Sequence, residues 1–379
     1  MALRRSRVVN ELRILHVLPH LSPDRRYGGP LTVALTQARA LIDRGHEVVV
    51  LGGADRGLPR RALVDGVECR LFRSFAPRRS AFGFRTAPGL KSWYLRHAGS
   101  FDVSHIHLAR DFTTLPVAAA SGAIPTVLQP HGMLSPSTTA PRRLLDSIWT
   151  RPAFRNASAV IALTAREREL LRADFADFRA HLLPNAVERR TVNRRPEDGV
   201  TRVLYLARLH TRKRPRLFLQ AATLLSKRGG HWSFDVVGPD EGELRFLKHL
   251  ANQSPDLDIR FHGPATASET VDYFASADIY VLPSVDEPFG LTMLESLAVG
   301  TPVVAASDAP LGVELNSLGL ADLFDGTPEN LADVIDNLAS DTNRRAEIAR
   351  MSAKRIDEFW GTETMAGRLE EIYEEVLSR

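Results

Sequence analysis

Two carboxylates eight residues apart, Glu287 and Glu295, stand in the stretch PSVDEPFGLTMLESLAVGTPVV (residues 283–304), on either side of a glycine, Gly290, that opens a helical pattern. The preceding run ADIYVL (277–282) has the short, apolar, β-branched composition of a central parallel strand, and Gly300 with Pro302 marks the helix stop before a further strand at Val303-Val304. A strand that feeds a helix N-terminus turns the free amides of Phe289, Gly290 and Leu291, and the positive end of the helix dipole, toward an anion. Phosphate binding alone gives two carboxylates no task. Sugar hydroxyls do, because each carboxylate accepts hydrogen bonds from a diol. Glu287 is expected in the loop facing the ligand, and Glu295, leaning back toward its helix N-terminus, is expected to reach the same crevice. Taken singly, each glutamate also reads as a solvated charge.

Three further places carry charge or hydrogen-bonding groups at strand ends. After RVLYL (202–206) the segment ARLHTRKRP puts Arg208 and Lys213 at the end of a strand and the mouth of a helix over about 215–227. They are either solvated or the fixed cations that neutralise a departing diphosphate where no metal does so. His131 follows the strand PTVLQ (125–129) at its carboxyl end, where open α/β sheets place ligands. Gly28-Gly29 lies between a first strand (13–18) and a helix over about 31–44, a turn at which glycine permits close backbone approach to a ligand. His105 and His107 alternate with Ile106 and share a strand face; the pair reads as structural or cleft-lining, and the sequence alone supplies no further ligands for a metal.

The pattern Glu287-x7-Glu295 within EPFGLTMLES, preceded by ADIYVLPS and followed by GTPVVAAS, resembles the signature of retaining glycosyltransferases of family GT4, and the resemblance spans nearly the whole chain. It implies an α/β protein of GT-B fold, two Rossmann-like domains with parallel sheets facing across an interdomain cleft. It further implies that Glu287 contacts the donor sugar and Glu295 the nucleotide ribose, that His131 of the His-Gly pair faces the sugar, and that Gly28-Gly29 lies against the donor phosphates. Arg208 and Lys213 match the family's diphosphate cations. The PHGML form resembles members acting in polysaccharide or glycolipid assembly. One departure is Asn185-Ala186, where the family has Asn-Gly.

Alternating strand and helix patterns agree with a doubly wound parallel fold. The expected division is 1–190, an acceptor-side domain to which a helix of about 360–379 crosses back, and 191–359, the donor domain. The C-terminal expectation rests on Phe359, Trp360, Leu369, Ile372, Tyr373 and Leu377 recurring at helical spacing. The expected reaction moves a sugar from a nucleoside diphosphate donor, UDP- or GDP-linked, to a saccharide or lipid-linked acceptor, with retention. His131, Arg208, Lys213 and Glu287 are the expected catalytic set; Gly28, Gly29, Phe289, Gly290, Leu291 and Glu295 bind donor. No cofactor or metal is expected, because Asp256-Leu257-Asp258 precedes a strand and does not follow one. A sugar-nucleotide epimerase, a phosphorylase or a non-catalytic sugar-nucleotide-binding protein are the alternatives.

Composition narrows the partners. Residues 1–190 hold 29 Lys+Arg against 15 Asp+Glu, net +14, and residues 191–379 hold 20 against 30, net −10. A basic first half calls for an anionic partner there. Nucleic acid is disfavoured by the absence of zinc spacing and of an RNP-like aromatic motif. Anionic headgroups fit better, through Arg60-Arg61, Arg78-Arg79 with Phe82 and Phe84, and Arg142-Arg143, all expected in loops; the alternative is a bias toward arginine, which outnumbers lysine 44 to five. The single Cys69 leaves no disulfide framework and agrees with a reducing cytoplasm. No apolar run reaches the roughly 18 residues of a membrane span, and no signal-peptide core precedes the first strand, so a cytoplasmic protein is expected, with peripheral docking on the inner membrane face as its extension.

Overall fold

The computed structural model describes residues 11–21, 29–76, 85–134, 139–175, 178–193 and 198–379. They form two compact units, one made of Met1–Pro184 with Met365–Arg379 and one of Asn185–Thr364. In the first, strands β1 (Arg13–Leu21), β2 (Glu47–Ala54), β3 (Arg61–Val64), β4 (Val67–Arg73), β5 (Val103–His107), β6 (Thr126–Gln129), β7 (Ala159–Ala162) and β8 (Ala180–Leu182) form one sheet in the order β3-β4-β2-β1-β5-β6-β7-β8. All neighbours are parallel except β3 and β4. The central strands are near-continuous apolar runs because helices cover both faces: β1 is buried from Ile14 to Leu21, and all of β5, β6 and β7 is buried. β4 is the second arm of a hairpin. Asp65 and Gly66, both with positive φ, turn the chain tightly enough for β3 to pair antiparallel at the sheet edge.

The second unit carries β9 (Thr201–Leu206), β10 (Trp232–Val237), β11 (Ile259–Gly263), β12 (Ile279–Leu282), β13 (Val303–Ala306) and β14 (Ala321–Phe324), all parallel, in the order β11-β10-β9-β12-β13-β14. Strand order reverses between β9 and β12 here and between β1 and β5 in the first unit. Ligands of open α/β sheets sit outside the carboxyl ends of strands at such reversals.

The C-terminal pattern resolves into two helices, Thr342–Trp360 and Thr362–Leu377, with Gly361 between them. A Cβ at Gly361 would stand 2.7 Å from the Asp357 carbonyl oxygen, so the chain turns where only glycine fits. Trp360 stays in the second unit, and its carbonyl accepts the Val187 amide at 2.9 Å, which holds the segment after Asn185-Ala186. Leu369 and Tyr373 are fully buried in the first unit, where Glu370 takes a bidentate bond from Arg44 (2.6 Å each) and lies 2.9 Å from His46 Nε2. Among the described residues no helix is long and apolar enough to cross a membrane.

Candidate active site

At the reversal of the second sheet, the loops after β9 and β12 are tied together before any ligand is considered. The Val285 amide donates to the Arg212 carbonyl (2.9 Å) and the Arg212 guanidinium to the Asp286 carbonyl (2.9 Å). Below them the buried Tyr205 hydroxyl lies 3.3 Å from the carbonyls of both Arg208 and Lys213, fixing the turn that carries the two cations. His210 caps that turn by accepting the Arg212 amide, and Arg214, with φ 49°, ends it before Pro215 starts the next helix.

The cations differ in setting. Lys213 donates to Glu287 in a pair whose side chains are 13% and 8% exposed. Desolvation draws the ammonium pKa down, and the Glu287 charge opposes it. Arg208 is 49% exposed and shares its Nη1 between both oxygens of Glu241 at 2.8 and 2.9 Å. Each cation therefore stands opposite a carboxylate that an incoming anion can replace.

Gly290 is the pivot of the other loop. It has φ 86°, and a Cβ there would meet Met293 Cε at 2.5 Å, Leu282 Cδ2 at 3.2 Å and Glu287 Cγ at 3.3 Å. The helix Leu291–Ala298 starts on it with no side-chain cap, and the amides of Phe289, Gly290 and Leu291 find no acceptor among the described residues. Tyr280, buried in β12, donates to Thr292 Oγ1 at 2.7 Å and locks the first turn.

Glu295 is half-buried, without a hydrogen-bond partner among the described residues. Desolvation pushes its pKa up to about 7 against the pull of the Arg190 charge. A carboxyl whose folded pKa exceeds its ordinary 4.5 costs stability as pH rises from 4.5 through 7. Glu295→Gln should therefore raise unfolding free energy by about 3 kcal/mol at pH 8 and only about 1 kcal/mol at pH 5. Urea midpoints at the two pH values check this; an equal shift at both would show that ionisation of Glu295 is not what costs stability.

One strand beyond the reversal of the first sheet, His131 follows β6 with φ 54° and is 7% exposed. Its Nε2 lies 2.8 Å from His107 Nδ1, and the two rings stack at 5.0 Å. Glu167 stands three residues after Thr164, the spacing of a capping box. Its amide does bond Thr164 Oγ1 (3.1 Å), but its carboxylate accepts the amides of Leu163 (2.7 Å) and Gly132 (2.5 Å), so it anchors the His131-Gly132 loop. Gly29 begins the helix Gly29–Asp43, with open space where its Cβ would be; Gly28 lies outside the described residues. Asp256 and Asp258 are exposed ahead of β11, and Asp258 pairs with Arg260 at 2.9 Å.

The structure thus brings Arg208, Lys213, Glu287, Gly290 and Glu295 to one sheet edge and places His131 at the corresponding edge of the other unit. Sequence reasoning gave no site role to Tyr205, Tyr280, Glu241, Glu167 or His16. The first four act through contacts 8 to 35 residues away in sequence, and no local spacing marks them.

Comparison with known proteins gives the family. The family described as Glycosyl transferases group 1 matches residues 188–355, and Glycosyltransferase Family 4 matches 27–191. The D-inositol 3-phosphate glycosyltransferase of Thermomonospora curvata is 28% identical over 95% of this chain and 93% of its own length; that of Paenarthrobacter aurescens is 33% identical over 46% of this chain and 44% of its own. Among solved structures, sucrose-phosphate synthase from Thermosynechococcus elongatus superposes with TM-score 0.79 at 18% identity, over 97% of this chain and all of that one. HepE of Anabaena, in complex with UDP and glucose, does so with TM-score 0.72 at 21% identity, over 96% and 100%. These likenesses give the fold and the matched segments give the lineage: the chain belongs to glycosyltransferase family 4 and has the GT-B fold.

Proposed function

We propose that this glycosyltransferase moves a sugar, with retention of anomeric configuration, from a UDP- or GDP-linked donor to a saccharide or lipid-linked acceptor, and that it needs no divalent ion on the diphosphate. The observation that carries the reading is the buried Lys213–Glu287 pair beside Arg208 and the uncapped helix start at Leu291. A diphosphate that takes over Lys213 and Arg208 releases Glu287 to accept a hydroxyl of the sugar. The amides of Phe289, Gly290 and Leu291 add uncharged donors to the same anion. Glu295 accepts the ribose diol, and its raised pKa makes that contact weaken as pH falls through about 7. His131 faces the sugar, with Gly28 and Gly29 against the phosphates.

In the chemical step the acceptor hydroxyl approaches the anomeric carbon from the leaving-group face. The carbon–oxygen bond to the diphosphate breaks with its electron pair going to that oxygen. The acceptor proton passes to a diphosphate oxygen as the new glycosidic bond forms. Arg208 and Lys213 stabilise the charge that accumulates, which is the role a metal otherwise fills.

The first unit is assigned the acceptor and an anionic membrane surface. Arg142 and Arg143 are exposed on the helix Ala140–Leu145, not in the loop expected, and Leu144 and Ile148 are 62% and 54% exposed beside them. Cations next to bare apolar side chains suit the headgroup boundary. Arg78, Arg79, Phe82 and Phe84 lie outside the described residues.

One set of incubations tests the reading. UDP-, GDP- and ADP-sugars are offered without acceptor, with and without EDTA, and then with oligosaccharide, inositol phosphate or lipid-linked acceptor in anionic vesicles. The expected results are slow release of free sugar and nucleoside diphosphate, EDTA resistance, a product of unchanged anomeric configuration by NMR, and salt-sensitive sedimentation with the vesicles. An inverted product, or loss of turnover in EDTA that magnesium or manganese restores, would overturn the mechanism. A changed sugar nucleotide points to an epimerase, dependence on inorganic phosphate to a phosphorylase, and binding with no turnover to a non-catalytic protein.

A further inference from the structure

The first sheet contains a histidine cluster that glycosyl transfer does not explain. The parallel pairing of β1 with β5 sets His16 directly opposite His105, and His107 follows two residues on along the same face. All three are fully buried, and one ring nitrogen from each lies within 4.8 Å of the other two. Three buried imidazoles are costly unless their polar atoms are paired.

Their six nitrogens divide into an outer and an inner set. On the outside, His16 Nε2 lies 3.4 Å and His105 Nδ1 2.8 Å from the Tyr373 hydroxyl oxygen, and His107 Nδ1 lies 2.8 Å from His131 Nε2. On the inside, His16 Nδ1 and His107 Nε2 face each other at 3.1 Å, and His105 Nε2, in an imidazole with no solvent exposure, has no hydrogen-bond partner among the described residues. Metal-bound histidines show this division: one nitrogen is bare toward the ion and the other donates its proton to a neighbouring oxygen or ring.

From this arrangement we propose that His16, His105 and His107 bind a divalent transition ion of the zinc class through His16 Nδ1, His107 Nε2 and His105 Nε2. Tyr373 and His131 hold the outer nitrogens. Three imidazoles suit zinc, cobalt, nickel or copper and not calcium or magnesium, which take oxygen ligands. The 3.1 Å between His16 Nδ1 and His107 Nε2 is close to the edge of about 3.3 Å that tetrahedral zinc–nitrogen bonds of about 2.05 Å require, and small ring rotations close the wider separations. Binding requires a change of tautomer in the ring that had used the His16–His107 bond.

The site does not depend on the assignment of transfer chemistry. It reaches that chemistry at one atom: with the ion on Nε2, His107 must carry its proton on Nδ1 and donate it to His131 Nε2. His131 then carries its own proton on Nδ1, an atom with no hydrogen-bond partner among the described residues.

Titrating the full-length chain with Co(II) tests the site. One equivalent should produce the ligand-field bands of tetrahedral cobalt, Zn(II) should displace them, and a hundredfold excess of Zn(II) over its dissociation constant should raise Tm by about 5–10 °C. His105→Asn and His16→Asn should abolish the bands. Tyr373→Phe, which keeps all three ligands, should weaken affinity by about 10- to 100-fold. A wild-type chain that takes up no stoichiometric cobalt, or bands that survive in both ligand variants, would overturn the assignment. If the ligand variants do not fold, the wild-type titration and the folded Tyr373→Phe chain decide it alone.

Discussion

Replacing Lys213 with alanine is expected to lower turnover by about two to three orders of magnitude, because a fixed cation is removed from the oxygen on which charge accumulates. A solvated Lys213, one of the two readings of the sequence, would be lost at little cost in stability. The structure corrects this: its side chain is only 13% exposed and bonded to Glu287, itself 8% exposed. Truncating one member of such a pair strands the other charge and costs about 3–5 kcal/mol. Activity loss in Lys213→Ala alone is therefore ambiguous. The double variant Lys213→Met, Glu287→Gln removes both charges at similar volume, so its denaturation midpoint should return toward wild type while turnover stays low. A folded double variant with wild-type turnover would remove Lys213 from the mechanism. Arg208, 49% exposed and paired with an exchangeable Glu241, should show the converse behaviour on alanine substitution, with slower transfer and little change in stability.

The second large effect is expected at Gly290. Alanine there must hold φ near 86° and place its Cβ against Met293 Cε, Leu282 Cδ2 and Glu287 Cγ. The backbone strain alone costs about 1–2 kcal/mol. The methionine and leucine contacts are with flexible ends that can give way. The Glu287 contact is not so easily relieved, because that side chain is held by Lys213 and its displacement moves the carboxylate assigned to the sugar. Gly290→Ala should thus lose about 1–3 kcal/mol of stability and at least tenfold in kcat at saturating donor. Unaltered kcat in a destabilised variant would mean that the geometry at Glu287 is not set by this turn.

What the sequence made legible follows from the range of the interactions involved. The parallel strands and the helix after β12 are written locally, as apolar runs, a glycine at the helix start and a glycine-proline stop, and the structure has them within a few residues of the expected places. The edge strand β3 was invisible because its apolar run, Ala62-Leu63-Val64, is too short to mark a strand by itself. The boundary near the C-terminus was expected about five residues early: Phe359 and Trp360 share helical spacing with Leu369 and Tyr373 but are packed in a different unit, and only the close approach at Gly361 divides them. The histidine cluster was half-legible. His105 and His107 were seen to share a face, whereas His16 reaches them through strand pairing across 89 residues. Glu167 obeyed its helix-start pattern and then bonded a glycine amide 35 residues back.

The return of the helix Thr362–Leu377 to the first unit makes the second unit an insertion in it, and that orders events during synthesis. About 180 residues separate Pro184 from Met365. At about 5–20 residues per second a ribosome takes roughly 10–40 s to cross them. Throughout that interval the nascent first unit lacks Glu370 for Arg44 and His46, and the Tyr373 hydroxyl for His16 and His105. Its sheet waits without the helix that covers this face and without those four contacts. A chain stopped at residue 184 is locked permanently in that condition, so the first unit is to be prepared in isolation only by joining residue 184 through a short linker to residues 362–379.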